Sequence, residues 1–183
     1  PEYISVVNGV NGSEMARTNN IPRGGTGSNY ERAKFWFDYW GDDYGNRMDR
    51  FFIGVAYLDA IPENGIRKAN PSLIITRGIY KNWQVWALDL KGGNLNIRWK
   101  FDTKETGNIA CVAMGSHSFR VADLNGDHKD EILYGSAAIS SGGKLLYCTG
   151  NGHGDALHVG KFAPNRSGLQ VVACFEEEDT YTG

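Results

Sequence analysis

The chain has 183 residues, enough for one sizeable core, and its net charge of −2 carries none of the basic footprint of a nucleic-acid binder. Aromatics at 12% together with 24 glycines point to strands and tight turns rather than helices. No apolar run reaches transmembrane length, so no membrane is expected as a partner, and the charge balance gives no reason to expect a nucleic acid; no signal-peptide pattern is present, which says nothing about compartment. The three cysteines, Cys111, Cys148 and Cys174, lack metal-ligand spacing, and their odd number excludes a fully paired framework; they read as buried or free thiols. The chain begins at Pro1 without a methionine and ends at Gly183 after the acidic stretch 176–179, and it reads as a piece of a longer chain.

Taken in order, Tyr3 to Val7 reads as a strand followed by an Asn/Gly turn, and Arg17 to Tyr30 as an exposed polar loop. Phe35-Trp36-Phe37-Asp38-Tyr39-Trp40 then precedes a polar run, Gly41 to Arg50, that contains Asn46, Arg47 and Arg50. Rings beside dense polar side chains can line a sugar cleft, which makes Asn46, Arg47 and Arg50 candidate substrate contacts. The same residues also fit an aromatic core cluster with Arg/Asp pairs pinning a loop. From Phe51 onward the chain is nearly all strand-like: Phe51 to Leu58, Ser72 to Arg77, Trp83 to Asp89 and Leu95 to Phe101, with a long loop from Asp59 to Asn70 and a hairpin turn at Lys91-Gly92-Gly93. Thr103 to Gly115 reads as a loop. Strands flank residue 123, and Lys144 to Thr149, Ala156 to Phe162 and Leu169 to Phe175 complete the set. No stretch shows a sustained helical period, and the fold class expected is all-β.

The most informative stretch is FRVADLNGDHKDEILY, Phe119 to Tyr134. Asp123, Asn125, Asp127, Lys129 and Glu131 recur at every second position. Hard cations such as Ca²⁺ take oxygen ligands on a tight loop, and this alternation supplies them, with Lys129 offering its backbone carbonyl. The closing acid comes too early for an EF-hand and β-type runs flank the loop, so the pattern predicts a strand-loop-strand calcium site. The bland alternative is an Asp/Asn/Gly turn without metal.

The chain also repeats. SHSFRVADLNGDHKDEIL lies over GDALHVGKFAPNRSGLQV without a gap at an offset of 38 residues (159 − 121 = 38), and VAYLD followed by PSLII is a looser third copy. A period of about forty with several short strands per unit is the signature of a β-propeller blade. In the last copy Lys161 and Ala163 fall on ligand positions; neither can bind a cation, so that loop is expected to be metal-free. The same offset lays His117 over Asp155, and His153 lies two residues away. Equivalent positions of consecutive blades are neighbours around a propeller axis, which predicts that these three converge. Imidazole ligates borderline metals readily and Ca²⁺ reluctantly, so the pattern alone leaves the ion open. Histidines bonded to strand backbones are the alternative.

Four segments, residues 40–51, 55–59, 121–135 and 149–160 (the last reading TGNGHGDALHVG), together resemble the catalytic propeller of the family 11 polysaccharide lyases, the rhamnogalacturonan lyases. The resemblance implies an eight-bladed β-propeller rich in calcium, of which this chain would be a single-domain fragment of about three to four blades. It implies a calcium held by His117, His153, Asp155 and Glu176, and adds Glu176 to the set. It also implies calcium-dependent β-elimination of rhamnogalacturonan I, endo or exo, outside the cell, in the periplasm or at the cell surface, with these residues inactive in isolation. The chain departs from the family pattern at Lys161 to Asn165, at Asn125 and His128, and in a longer insertion from Ile61 to Ala69. A non-catalytic calcium-binding carbohydrate-binding or adhesion propeller is the competing class.

Overall fold

The computed structural model describes residues 2–42, 45–59, 61–63, 66–68 and 70–176. They form 14 strands, β1 to β14, and one α-helix, α1. β1 (Tyr3–Val7) and β2 (Glu14–Asn19) make a hairpin. Two four-stranded antiparallel sheets follow. The first runs β3 (Ile53–Ala56), β6 (Ser72–Gly78), β7 (Trp83–Lys91), β8 (Asn94–Asp102), and a small β4–β5 hairpin (Ile61–Glu63, Ile66–Lys68) is inserted after β3. The second runs β9 (Phe119–Ala122), β10 (Glu131–Tyr134), β11 (Ala137–Ile139), β12 (Leu145–Cys148). A last hairpin joins β13 (Gly154–Gly160) to β14 (Gln170–Phe175). Within each four-stranded sheet the spatial order is the chain order, a meander. Among the described residues the sheets stay separate and do not join into a closed barrel.

Local chemistry sets the boundaries. Lys91 and Asn94 pair across Gly92 and Gly93, whose φ angles of 58° and 77° are those of a two-residue hairpin turn. The apolar residues of β6, β7 and β10 are buried nearly throughout, as central strands of a packed meander must be. The main core holds Trp83, Phe101 and Tyr134; the Trp83 ring stacks on Phe101 at 5.2 Å and meets Tyr134 edge-on at 5.0 Å. Inside this core Tyr134 donates its hydroxyl to the Gly78 carbonyl at 2.9 Å, which joins the two four-stranded sheets.

The region before Phe51 is not loop and cluster as the sequence suggests. α1 spans Asn29–Trp40, and β2 occupies the first part of the expected 17–30 loop. Ser28 and Glu31 form a capping box at the helix start, and Gly41 (φ 98°) ends it by donating its N–H to Phe37 O. The aromatics hide the helical period because they are crowded together, broken only by Asp38, rather than spaced three and four apart. Only Trp40 is buried from the helix, while Phe35 and Phe37 are exposed. The other differences are smaller. β11 sits in a Gly/Ala/Ser stretch without strand-like character, β3 is shorter than Phe51–Leu58, and the 103–115 connection contains one turn of 3-10 helix, Ile109–Cys111. The Ile61–Ala69 insertion falls partly outside the described residues.

Candidate metal centre

The 38-residue repeat is realised as a contact between strands. Ser116 and Gly154, 38 positions apart (154 − 116 = 38), form a parallel bridge; His117 N–H donates to Gly154 O at 2.9 Å and Gly154 N–H to Gly115 O at 3.0 Å. The residues after the bridge, His117 and Asp155, therefore emerge side by side. Their ligand atoms and one of His153 all lie within 4.8 Å of one another. His153 is buried, His117 half-buried and Asp155 exposed, so the group opens to solvent on the carboxylate side. His117 Nε2 stands 3.5 Å from Asp155 Oδ1.

Glu176 comes to the same place by backbone pairing. Its N–H donates to His153 O at 2.8 Å, and a Cβ on Gly152 would lie 2.6 Å from its carbonyl, so Gly152 permits the approach. Its carboxylate is outside the 4.8 Å group, but its charge reaches His153. Burial, then the charge of His117, push the His153 proton affinity below the usual imidazole value; the charges of Glu176 and Asp155 oppose them. A neutral His153 is the form that can ligate a metal.

Tyr80 is a member of this centre that the sequence reading missed. Its hydroxyl lies 3.3 Å from His117 Nε2, and its ring centroid is 4.4 Å from that of His153. Arg47 places its guanidinium 5.2 Å from the centroid of the Tyr80 ring. Tyr80 follows β6 in a short turn, with no motif around it; its one sequence signal is its position two residues after Gly78, whose φ is positive. Arg47 is itself held from behind, its backbone N–H donating to the buried Asp42 carboxylate. Arg50 folds back on Asn46, donating to its backbone carbonyl at 2.9 Å and to its side chain at 3.0 Å. Of the three candidate sugar contacts, Arg47 alone is seen beside the histidine group, while Asn46 and Arg50 brace each other.

The alternating loop is built separately, between β9 and β10. Asp123 accepts N–H bonds from Gly126 (2.7 Å), Asp127 (3.1 Å) and His128 (2.8 Å); Asn125 accepts from Asp127, and Asp127 from Lys129. His128 adopts φ 66°, the left-handed conformation that glycine usually supplies. Glu131 is buried and accepts from Leu124 N–H at 2.9 Å. Burial, joined by the charges of Asp127 and Asp123, raises its carboxyl above the usual range. Three acids thus face one another in one loop. Asp130 fixes the loop to the other sheet, exchanging bonds with Tyr57 through both its side chain (2.8 Å) and its backbone (3.0 Å).

In the homologous loop between β13 and β14, the Lys161 ammonium donates to the carbonyls of Arg166 and, at 3.1 Å, Gly168. A tethered cation caps the backbone oxygens there.

Comparison with known proteins agrees with this architecture. The chain is 41% identical over 183 residues to rhamnogalacturonan endolyase YesW of Bacillus subtilis, covering 100% of this chain and 27% of that protein. It is 42% identical over 177 residues to rhamnogalacturonan exolyase YesX of the same organism, covering 97% and 26%. The solved structure of the Bacillus licheniformis rhamnogalacturonan lyase PL11 superposes with a TM-score of 0.80 at 43% identity, over 96% of this chain and 27% of that one. The chain thus spans about a quarter of the length of these relatives. The family model for rhamnogalacturonan lyase family 11, C-terminal domain, matches residues 1–183, and the chain belongs to that family.

Proposed function

We propose that the protein carrying this chain is a rhamnogalacturonan lyase that cleaves the rhamnose–galacturonic acid backbone of rhamnogalacturonan I by β-elimination, with calcium bound, outside the cell or at its surface. In this reading residues 1–183 are one sector, about three to four blades, of a single β-propeller. The observation that carries the proposal is the convergence of His117, His153 and Asp155 through the parallel Ser116–Gly154 bridge, in a chain of this family.

The donor set fits a cation. Two imidazoles and a carboxylate meet within 4.8 Å, His153 is held neutral, and Glu176 adds a second negative charge nearby. The Asp123–Glu131 loop fits a second cation, because its three facing acids repel one another without one.

β-Elimination requires the galacturonate carboxylate to be neutralised, the C5 proton removed and the leaving oxygen protonated. A cation at the histidine centre supplies Lewis-acid attraction for that carboxylate. Arg47 adds a permanent positive charge beside Tyr80, placed to pair with the same group. The Tyr80 hydroxyl, bonded to His117, orients that ring and presents an O–H at the edge of the centre. Asn46 and Arg50 hold the turn from which Arg47 projects.

The test is incubation of the full-length protein with rhamnogalacturonan I. Products absorbing in the ultraviolet from a new C4=C5 double bond are expected. Saturated products would remove the lyase assignment, and retention of polysaccharide without cleavage would support a binding propeller instead.

A further inference from the structure

The repeat, the acid loop and the histidine centre leave two thiols unused. Cys111 is fully buried at the end of the 3-10 turn before β9, and Cys148 is the last residue of β12. Cys111 belongs to the main core, and Cys148 packs against that same core. The Cys148 thiol also lies 3.3 Å from the carbonyl of Ala110, directly before Cys111. The third cysteine, Cys174, is exposed on β14, on a different sheet.

We propose that Cys111 and Cys148 are a disulfide-forming pair that covalently closes the β9–β12 sheet. The bond would join the segment entering the sheet to its last strand, and the closed loop would contain His117 and the whole Asp123–Glu131 loop. The inference does not depend on the lyase reading. With the Cys148 sulfur 3.3 Å from the carbonyl of the peptide group that leads into Cys111, side-chain rotation is the movement that brings the two sulfurs to the bonding distance of about 2.05 Å. The two thiols differ in access and acidity. Cys148 is partly exposed while Cys111 is buried; the neighbouring Cys111 brings the Cys148 pKa down to about 7, and the neighbouring Cys148 together with burial pushes the Cys111 thiol up.

The difference in access sets the order of events, because a small disulfide reaches the partly exposed Cys148 before the buried Cys111. The Cys148 thiolate attacks one sulfur of a low-molecular-weight disulfide, RSSR, forming a Cys148–S–S–R mixed disulfide and releasing RS⁻. The Cys111 sulfur then attacks the Cys148 sulfur, giving its proton to the departing RS⁻ and forming Cys111–S–S–Cys148. The protein dithiol loses two electrons and two protons; the small disulfide gains them as two RSH.

The experiment uses the intact protein equilibrated with oxidised glutathione, beside a reduced control, and read by peptide mass spectrometry. A single Cys111–Cys148 cross-linked peptide is expected, unchanged in Cys174→Ser and absent from Cys111→Ser and Cys148→Ser. Melting of the oxidised form should rise by roughly 10 °C, since the bond closes a loop intermediate in length between those with known effects. Recovery of both cysteines as free thiols would overturn the proposal. So would a glutathione adduct that persists on Cys148, or a cross-link that forms only under denaturing conditions. If Cys111→Ser does not fold, Cys148→Ser, whose site is partly exposed, still separates these outcomes.

Discussion

Asp123 is the residue on which the acid loop depends, and Asp123→Ala tests the loop twice. Without calcium the substitution removes three backbone bonds, from Gly126, Asp127 and His128. These N–H groups lie in an exposed turn, so water can replace the lost acceptor and each bond counts at its net value. Their sum, with the loss of support for the strained His128, is roughly 2 kcal/mol. For a chain of this size that lowers the melting temperature by about 4–8 °C. Asp123→Asn keeps one acceptor oxygen and should lose about half as much. With calcium at about one hundred times its dissociation constant, a competent loop gains about 2.7 kcal/mol, or roughly 5–11 °C. Asp123→Ala should lose that gain. The comparison is made in an Asp155→Ala background, so that the histidine centre does not contribute, and read by calorimetric melting with and without calcium. An equal calcium-induced shift with and without Asp123 would refute the cation-site reasoning. A cost below about 0.5 kcal/mol without calcium would refute the hydrogen-bond reasoning.

Asp155→Ala in the full-length protein should abolish cation binding at the histidine centre by isothermal calorimetry and, under the proposed function, lyase activity with it, while the melting temperature without calcium changes little; retained affinity would exclude Asp155 as a ligand. Tyr80→Phe removes one hydrogen bond to His117 and should weaken cation binding roughly 2- to 10-fold, an outcome an unchanged titration would contradict. His153 binds its proton less tightly in the folded chain than in the unfolded one, through burial and His117. Its contribution is therefore fully present above about pH 6.5 and is lost as pH falls from there towards the lower folded value, a slope that His153→Gln should remove from melting curves. Replacing Lys161 and Ala163 together by Asp restores the acidic alternation of the homologous loop and should create a calcium-dependent rise in melting temperature; its absence would mean that the loop backbone, not Lys161, excludes the ion.

Much of the all-β architecture was legible because alternating and continuous apolar runs, bounded by Gly and Asn, state the strand period directly. β1 matches its expected span, and β6, β7, β8 and β14 lie within one or two residues of theirs. The helix was concealed because the aromatics from Phe35 to Trp40 are crowded together, broken only by Asp38, rather than spaced three and four apart, although the Ser28–Glu31 cap and Gly41 mark its two ends. β11 was concealed because small residues carry no strand preference, and Ala137–Ile139 become a strand only when β10 and β12 pair with them.

The sequence by itself determined which residues can act as ligands and that His117 and Asp155 are equivalent, because a repeat copies position as well as composition. Whether equivalent positions touch is a property of the packing of one sheet beside the next. The tertiary structure decided it through the parallel Ser116–Gly154 bridge, which two N–H···O bonds hold in register. Tyr80 and the Cys111–Cys148 pair were decided there as well. Tyr80 is 37 residues from His117 (117 − 80 = 37) and Cys148 is 37 from Cys111 (148 − 111 = 37), with no shared motif between partners. At such separations chain entropy opposes contact, and only the burial of the intervening strands in a common core brings those side chains together.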